Sequence, residues 1–147
     1  MSPLTLPQTF PTPGQVFPAG ERDGVAVPAQ GIYAGITTAP DGAIYALMLL
    51  AEEPESDLTW QAATAWAASL GASLPTRQEG ALLFANVKPH FRTTWHWLSE
   101  EMGGSFAWDQ GFLNGGQGSS HKSFEGRARA VRRLPLESFI ALLGVAA

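Results

Sequence analysis

Apolar and polar positions along this chain fall into two kinds of pattern, and they change over in a fixed order. Residues 31–52, "GIYAGITTAPDGAIYALMLLAE", read as a β-hairpin. Ile, Tyr and Thr enrich both arms, and Pro40-Asp41-Gly42 supplies the turn between them. The second arm is apolar on both faces, which predicts a central buried strand. A helix follows in "WQAATAWAASL", with Thr59 as its N-cap and Gly71 placed to end it. Its apolar face carries Ala63, Trp66, Ala67 and Leu70, and the small alanines let it sit close to a sheet. A second helix is predicted in "LPTRQEGALLFANV". Thr76 and Glu79 form the T-x-x-E capping box, Leu82, Leu83 and Val87 form the stripe, and Pro89 limits continuation. Beyond residue 93 the period returns to two. "TTWHWLSE", "SFAWDQGFL" and "GRARAVRRL" read as strands separated by glycine-rich breaks.

The two ends differ from this middle. Residues 1–30 hold six of the eleven prolines, so they cannot run as a helix. They also carry Leu4, Leu6, Phe10, Val16 and Phe17, too many large apolar groups for a free linker. The expectation is an extended arm lying on its own domain or on a neighbouring subunit. Residues 135–147, including "LESFIALLGVAA", form an apolar tail that reads as a short helix or a plug. The predicted organisation is an arm (1–30), one domain (31–134) and a tail (135–147). Strand pair, two helices and then three strands make an α+β fold, with helices flanking antiparallel sheets.

Composition narrows the function classes. At 147 residues the chain fits one domain with a real core. Charged residues make up only 15%, against a usual ~25%, so the surface leans on small polar groups. There is no cysteine, which excludes disulfides, thiolate metal sites and a cysteine nucleophile. The N-terminus carries no signal-peptide pattern, and the longest apolar run, "AIYALMLLA", falls well short of the ~20 residues a membrane span needs. The net charge of −4 is uneven, with five of the nine bases lying between Lys122 and Arg133. One basic strand in an acidic chain does not make a nucleic-acid surface. Arg127 and Arg129 share a strand face, and an internal carboxylate is their expected partner, with Glu100 or Glu101 as the acid.

Catalytic patterns are thin. The three histidines follow no metal spacing, and no phosphate loop, nucleophile elbow or dinucleotide fingerprint occurs. The acidic loop "EEPESD" lacks the graded oxygen spacing of a calcium site and reads as solvated. Glu100, Glu101 and Asp109 offer carboxylate pairs, as does any β protein of this size. The expectation is therefore a non-enzymatic protein with no cofactor and no metal. The aromatic–polar mixture points instead to recognition. In "TTWHWLSE" Trp95, Trp97 and Ser99 point one way while His96, Leu98 and Glu100 point the other. Trp97 and Trp108 read as core. The stretch "NGGQGSSHK", residues 114–122, reads as a solvent-facing loop. The candidate ligand contacts are His96, Glu100, Asp109, Asn114, Gln117, Ser119, Ser120, His121 and Lys122.

Several of these segments, in order, resemble one known family. "LTWQAATAWAASLG", "LPTRQEGALLFANV", "WHWLSEE", "FAWDQGFLNGG" and "KSFEGRARAVRRL" are similar to the Lcl C-terminal-like domains of unknown function, many of them from bacterial prophages. Their consensus runs LPTR-x-E, a YWSS-x-E strand, an AW strand and a VRAVR strand. The resemblance spans Gly31 to Leu134. It implies a C-type-lectin-like fold in which terminal strands come together, two helices flank them and late strands and loops build a ligand face. The calcium-lectin signatures and the catalytic cysteines of the related sulfatase-modifying enzymes are missing here. The resemblance thus implies a phage- or prophage-encoded binding module, a virion component made in the bacterial cytoplasm. Its partners would be a host-surface glycan or protein and other virion subunits, and it would be a homo-oligomer. The alternative is a structural decoration or connector protein assembled through arm and tail.

Overall fold

A computed structural model describes residues 10–22 and 24–144. The chain is mixed α+β, with antiparallel sheets and three α-helices among the described residues. Strand β1 (Val16–Phe17) precedes a small ribbon of β2 (Gly20–Arg22) and β3 (Val25–Val27). The predicted hairpin is β4 (Gly31–Thr38) and β5 (Ile44–Leu49), turning at Pro40-Asp41-Gly42. The Asp41 carboxylate accepts the Ala43 N–H at 3.0 Å and fixes that turn. Together with β9 (Val131–Pro135) these strands make a four-stranded sheet in the order β1-β4-β5-β9. As its two-sided apolar pattern requires, β5 is the buried centre, with Ala46, Leu47, Met48 and Leu49 fully inaccessible.

The helices form where their caps predict. Helix α1 (Trp60–Ser69) starts at Thr59, whose hydroxyl accepts the Ala62 N–H, and buries Ala63 and Ala67. Helix α2 (Arg77–Val87) starts at Thr76 with both halves of the capping box made. A single 3-10 turn at Lys88–His90 then leads to β6 (Trp95–Met102), β7 (Phe106–Gly111) and β8 (Gln117–His121), a second sheet of three strands.

Two expectations change here. Residues 114–122 are not one loop: Asn114–Gly116 turn, and Gln117–His121 pair with β7 as its outer strand. Alternating small polar residues satisfy a ladder as well as they satisfy a loop, so composition could not separate the two. The basic segment is likewise shorter as a strand than its period suggests. Residues 126–130 run extended between the two sheets, bonding in turn to Leu58, Trp97 and Leu50, and the ladder begins only at Val131. The side-chain alternation survives, with Ala128 and Ala130 packed under α1 beside Trp97.

The ends join the same body. Leu4 and Leu6 lie outside the described residues, but Phe10 and Phe17 pack against Tyr33 and Phe139. The tail supplies α3 (Leu136–Leu142), which buries Phe139 and Ile140 on this face, and Tyr33 stacks on Phe139 at 5.0 Å. Its last three residues, 145–147, lie outside the described residues. No helix among the described residues is long and apolar enough to cross a membrane.

Candidate functional site

A cleft of about 850 Å³ opens where the β4–β5 turn, the start of α2, β8 and β9 meet. Its floor is a buried charged group. Glu79, fully inaccessible, receives four hydrogen bonds. Arg133 donates Nε at 2.6 Å and Nη2 at 2.7 Å, a two-pronged grip. The Tyr45 hydroxyl donates at 2.5 Å and the Thr76 N–H at 2.9 Å. Burial alone would push the Glu79 carboxyl up; the bonds from Arg133, Thr76 and Tyr45 and the Arg133 charge together hold it below its ordinary value. The same contact raises Arg133, whose largest influence is the hydrogen bond to Glu79. Burial, then the bond to Glu79, pushes the Tyr45 hydroxyl up to about 12. At neutral pH the floor is a carboxylate, a guanidinium and a neutral phenol, and neither carboxylate oxygen is left for chemistry.

The rim is made differently. Arg77, the first residue of α2, is exposed and lays its guanidinium over the Trp108 ring at 3.6 Å from the centroid. Its Nε donates to Gln117 Oε1 at 3.2 Å. Gln117 in turn donates to the Arg77 carbonyl and to Gln110 Oε1, both at 2.7 Å. Gln110 is fully buried and donates to the Gly80 carbonyl at 2.7 Å. A Cβ at Gly80 would stand 2.6 Å from Gln110 Oε1, so helix and sheet approach this closely only because residue 80 is glycine. Through this chain of amides, β7 and β8 fix the start of α2. Glu100, at the end of β6, accepts the Arg77 N–H at 2.6 Å through Oε1 and occupies the positive end of the helix.

The predicted contact residues do not form one site. Glu100 and Gln117 line the cleft. His121 and Lys122 line a separate hollow of about 360 Å³ with Thr59 and Ser123. His121 packs its ring against Phe106 at 5.4 Å, while Lys122 lies over Trp60 and pairs with Glu101 at 3.4 Å. Asp109 and Ser120 lie on the opposite face of the sheet from Gln110, joined by a 2.5 Å bond from the serine hydroxyl. Burial raises the Asp109 carboxyl, and the Ser120 bond offsets part of this. Asn114 is exposed and spends its side-chain oxygen on the Gly116 N–H. Ser119 is exposed on β8, opposite Trp108.

His96 is a correction. It is 2% exposed and sits edge-on to Phe91 and Phe112, so no surface ligand reaches it. Burial, with the nearby Arg129 and Arg127 charges, pushes it down to about 4 against the pull of the Thr94 carbonyl at Nδ1. The arginine pairing is a second correction. Arg127 meets Asp57 at 3.4 Å and Glu53 at 3.8 Å, and Arg129 donates to the His90 and Leu50 carbonyls. Neither touches Glu100 or Glu101, because residues 126–130 run past the acidic loop before they reach a sheet. That loop is accordingly more than solvated, since two of its acids offset a buried guanidinium. In this cluster His96 Nε2, Arg127 Nε and Arg129 Nε have no hydrogen-bond partner among the described residues.

Trp97 is core as expected, whereas Trp108 is half-buried and serves as the platform for Arg77. Sequence reasoning missed Arg77, Tyr45 and Arg133 as parts of the site. Only the capping-box role of Glu79 carried a local signal. No known family model matches the chain, and no curated protein sequence matches it.

Proposed function

We propose that this chain is a non-enzymatic binding module of C-type-lectin-like architecture. In this reading it is phage- or prophage-encoded, a virion component that contacts a host-surface glycan or protein through the cleft. The architecture is supported by the order of elements. The strand from the arm and the strand before the tail share one sheet, α2 and α3 pack on it, α1 packs against β6, and a second sheet of late strands carries the cleft rim.

One observation carries the binding reading: Arg77 is held in place on Trp108 and Gln117 at the mouth of a cleft of about 850 Å³. A long flexible side chain is thereby ordered before any ligand arrives, which lowers the entropy lost on binding. Binding is favoured over catalysis because Glu79 is saturated by four donors and Glu100 has one oxygen bound at the start of α2, so the two carboxylates lining the cleft are not a free pair for acid–base work. The test is adsorption of the purified chain to host cells, comparing the native protein with the double variant Arg77→Ala/Trp108→Ala. Loss of adsorption by a variant that still unfolds cooperatively in urea supports the reading; full adsorption by the double variant refutes it.

The decoration or connector reading draws on another region. The β2–β3 ribbon leaves Val25 66% exposed, and Val16 beside it is 56% exposed. Removing residues 20–27 and measuring mass by light scattering tests it. A change from oligomer to monomer is its expected outcome.

A further inference from the structure

Resting on the binding reading, we propose that the cleft selects an acidic saccharide, with a carboxylate of the ligand held by the open fork of Arg77. The argument is one of charge and unused hydrogen-bonding capacity. The charged groups lining the cleft are Arg77, Arg133, Glu79 and Glu100. Arg133 and Glu79 neutralise each other at 2.6 Å. The Glu100 carboxylate sits at the start of α2, where the helix end itself offsets its charge. Arg77 is left. No salt bridge to it forms among the described residues. Its Nε is bound to Gln117, and its two terminal nitrogens have no acceptor among the described residues.

The geometry selects a class of anion. The guanidinium carbon lies 3.6 Å from the Trp108 ring centroid and Nε is tethered to Gln117, so the donors left over are those of the terminal nitrogens. Two coplanar oxygens fit that edge with paired hydrogen bonds, the arrangement a carboxylate offers. The rest of the cleft suits a sugar ring. Glu100 Oε2 has no partner among the described residues and can accept from hydroxyl groups. Pro40 and Ala81 give small apolar surfaces for the C–H face of a ring. A neutral ligand would leave Arg77 uncompensated, and a purely apolar one would desolvate Glu100 without return.

The experiment uses the full chain and titration calorimetry. The probes are a hexuronic-acid trisaccharide, its carboxyl-reduced counterpart, in which each carboxylate is replaced by a neutral hydroxymethyl group, and a sulfated trisaccharide of the same size. The expected result is at least about tenfold tighter binding of the uronate than of the reduced sugar, near the difference one charge-assisted pair supplies. Arg77→Lys should lose most of that preference while keeping the urea midpoint, because an ammonium lacks the fork. Equal binding of the uronate and reduced sugars overturns the proposal while leaving the cleft as a binding site. Tighter binding of the sulfated probe also overturns it and moves the assignment to a tetrahedral anion. If no probe binds although cell adsorption still depends on Arg77 and Trp108, the acidic-saccharide class is wrong and the binding reading stands. If adsorption does not depend on them, the binding reading itself fails.

Discussion

Two arginines reach the same cleft and are held in opposite ways. Arg133 comes from β9, half sheltered, and spends Nε and Nη2 on Glu79 and Nη1 on Ser73. Arg77 comes from the surface end of α2, lies on an aromatic ring and spends only Nε. Both are ordered, yet Arg133 has a bond on every nitrogen whereas the two terminal nitrogens of Arg77 have no acceptor among the described residues. The contrast separates two uses of one residue type. A guanidinium with all three nitrogens bonded inside the fold is a strut. A guanidinium held by its face and one nitrogen is a tool, since its edge stays available. Loss of the strut should cost the fold most, and loss of the tool should cost it least.

Glu79→Ala removes the acceptor for Arg133, Tyr45 and the Thr76 N–H together. Breaking a buried pair by deleting one partner typically costs about 3–5 kcal/mol, because the remaining charge stays desolvated. Urea unfolding at pH 7 should show a loss of that order. Replacing both partners, as Glu79→Leu with Arg133→Met, should recover part of it. If Glu79→Ala unfolds at the native midpoint, the floor is no strut and the comparison fails.

The Arg127–Arg129–His96 cluster gives a test by pH. Here buried nitrogens lack partners among the described residues, unlike the floor around Glu79. Folding holds His96 down to about 4 from an ordinary 6.5, so between those values the unfolded chain binds more protons than the folded one. Stability therefore falls as pH drops below 6.5, by about 1.4 kcal/mol per pH unit, or about 2 kcal/mol by pH 5. Glu79 acts lower. Its folded pKa is depressed, so its contribution is intact above the unfolded carboxyl value near 4.5 and is lost as pH falls through the folded one. The fall in stability between pH 6.5 and 5 thus belongs to His96, because the raised Asp109 carboxyl acts in the opposite sense. Urea titrations of His96→Gln should show no fall there, and a native protein without the slope would show His96 charged in the fold.

Legibility in the sequence followed the range of each interaction. The Thr59 cap, the Thr76–Glu79 box and the Pro40-Asp41-Gly42 turn are local, and each stands where its residues predict. The apolar period likewise placed β5 at the centre. The site is a matter of long separations: Arg77 with Gln117 across 40 positions, Glu79 with Arg133 across 54. No period or spacing encodes such pairs, so Glu79 was readable as a cap and unreadable as the floor of a cleft. His96 failed for a related reason. Its neighbours Phe91 and Phe112 lie on either side in sequence, and only the closing of the second sheet encloses it.

A smaller effect is expected at the turn that brings β8 to the rim. Gly115 has φ +82, and a Cβ there would stand 2.9 Å from the Phe84 ring. Gly115→Ala should cost about 1–2 kcal/mol for the left-handed backbone, read as a lower urea midpoint. Since Gln117 begins the strand that follows, the variant should also weaken cell adsorption. Loss of stability with adsorption untouched would mean that Arg77 does not depend on β8 for its place.

The smallest change in stability belongs to the residue with the largest expected role. Arg77→Ala removes one exposed stacking contact, worth roughly 0.5–1 kcal/mol, and a 3.2 Å bond that water can replace. The Arg77 N–H that bonds Glu100 is backbone and survives the substitution. The Gln117 amide still donates to the residue 77 carbonyl and to Gln110, so the start of α2 stays docked. The urea midpoint should therefore move by no more than about a third of the shift produced by Glu79→Ala, about 1 kcal/mol against about 3–5 kcal/mol. A larger loss would place Arg77 with Arg133 among the struts. A small loss with adsorption abolished would separate them, because a residue that holds so little of the fold and so much of the binding is kept for what it meets outside the chain.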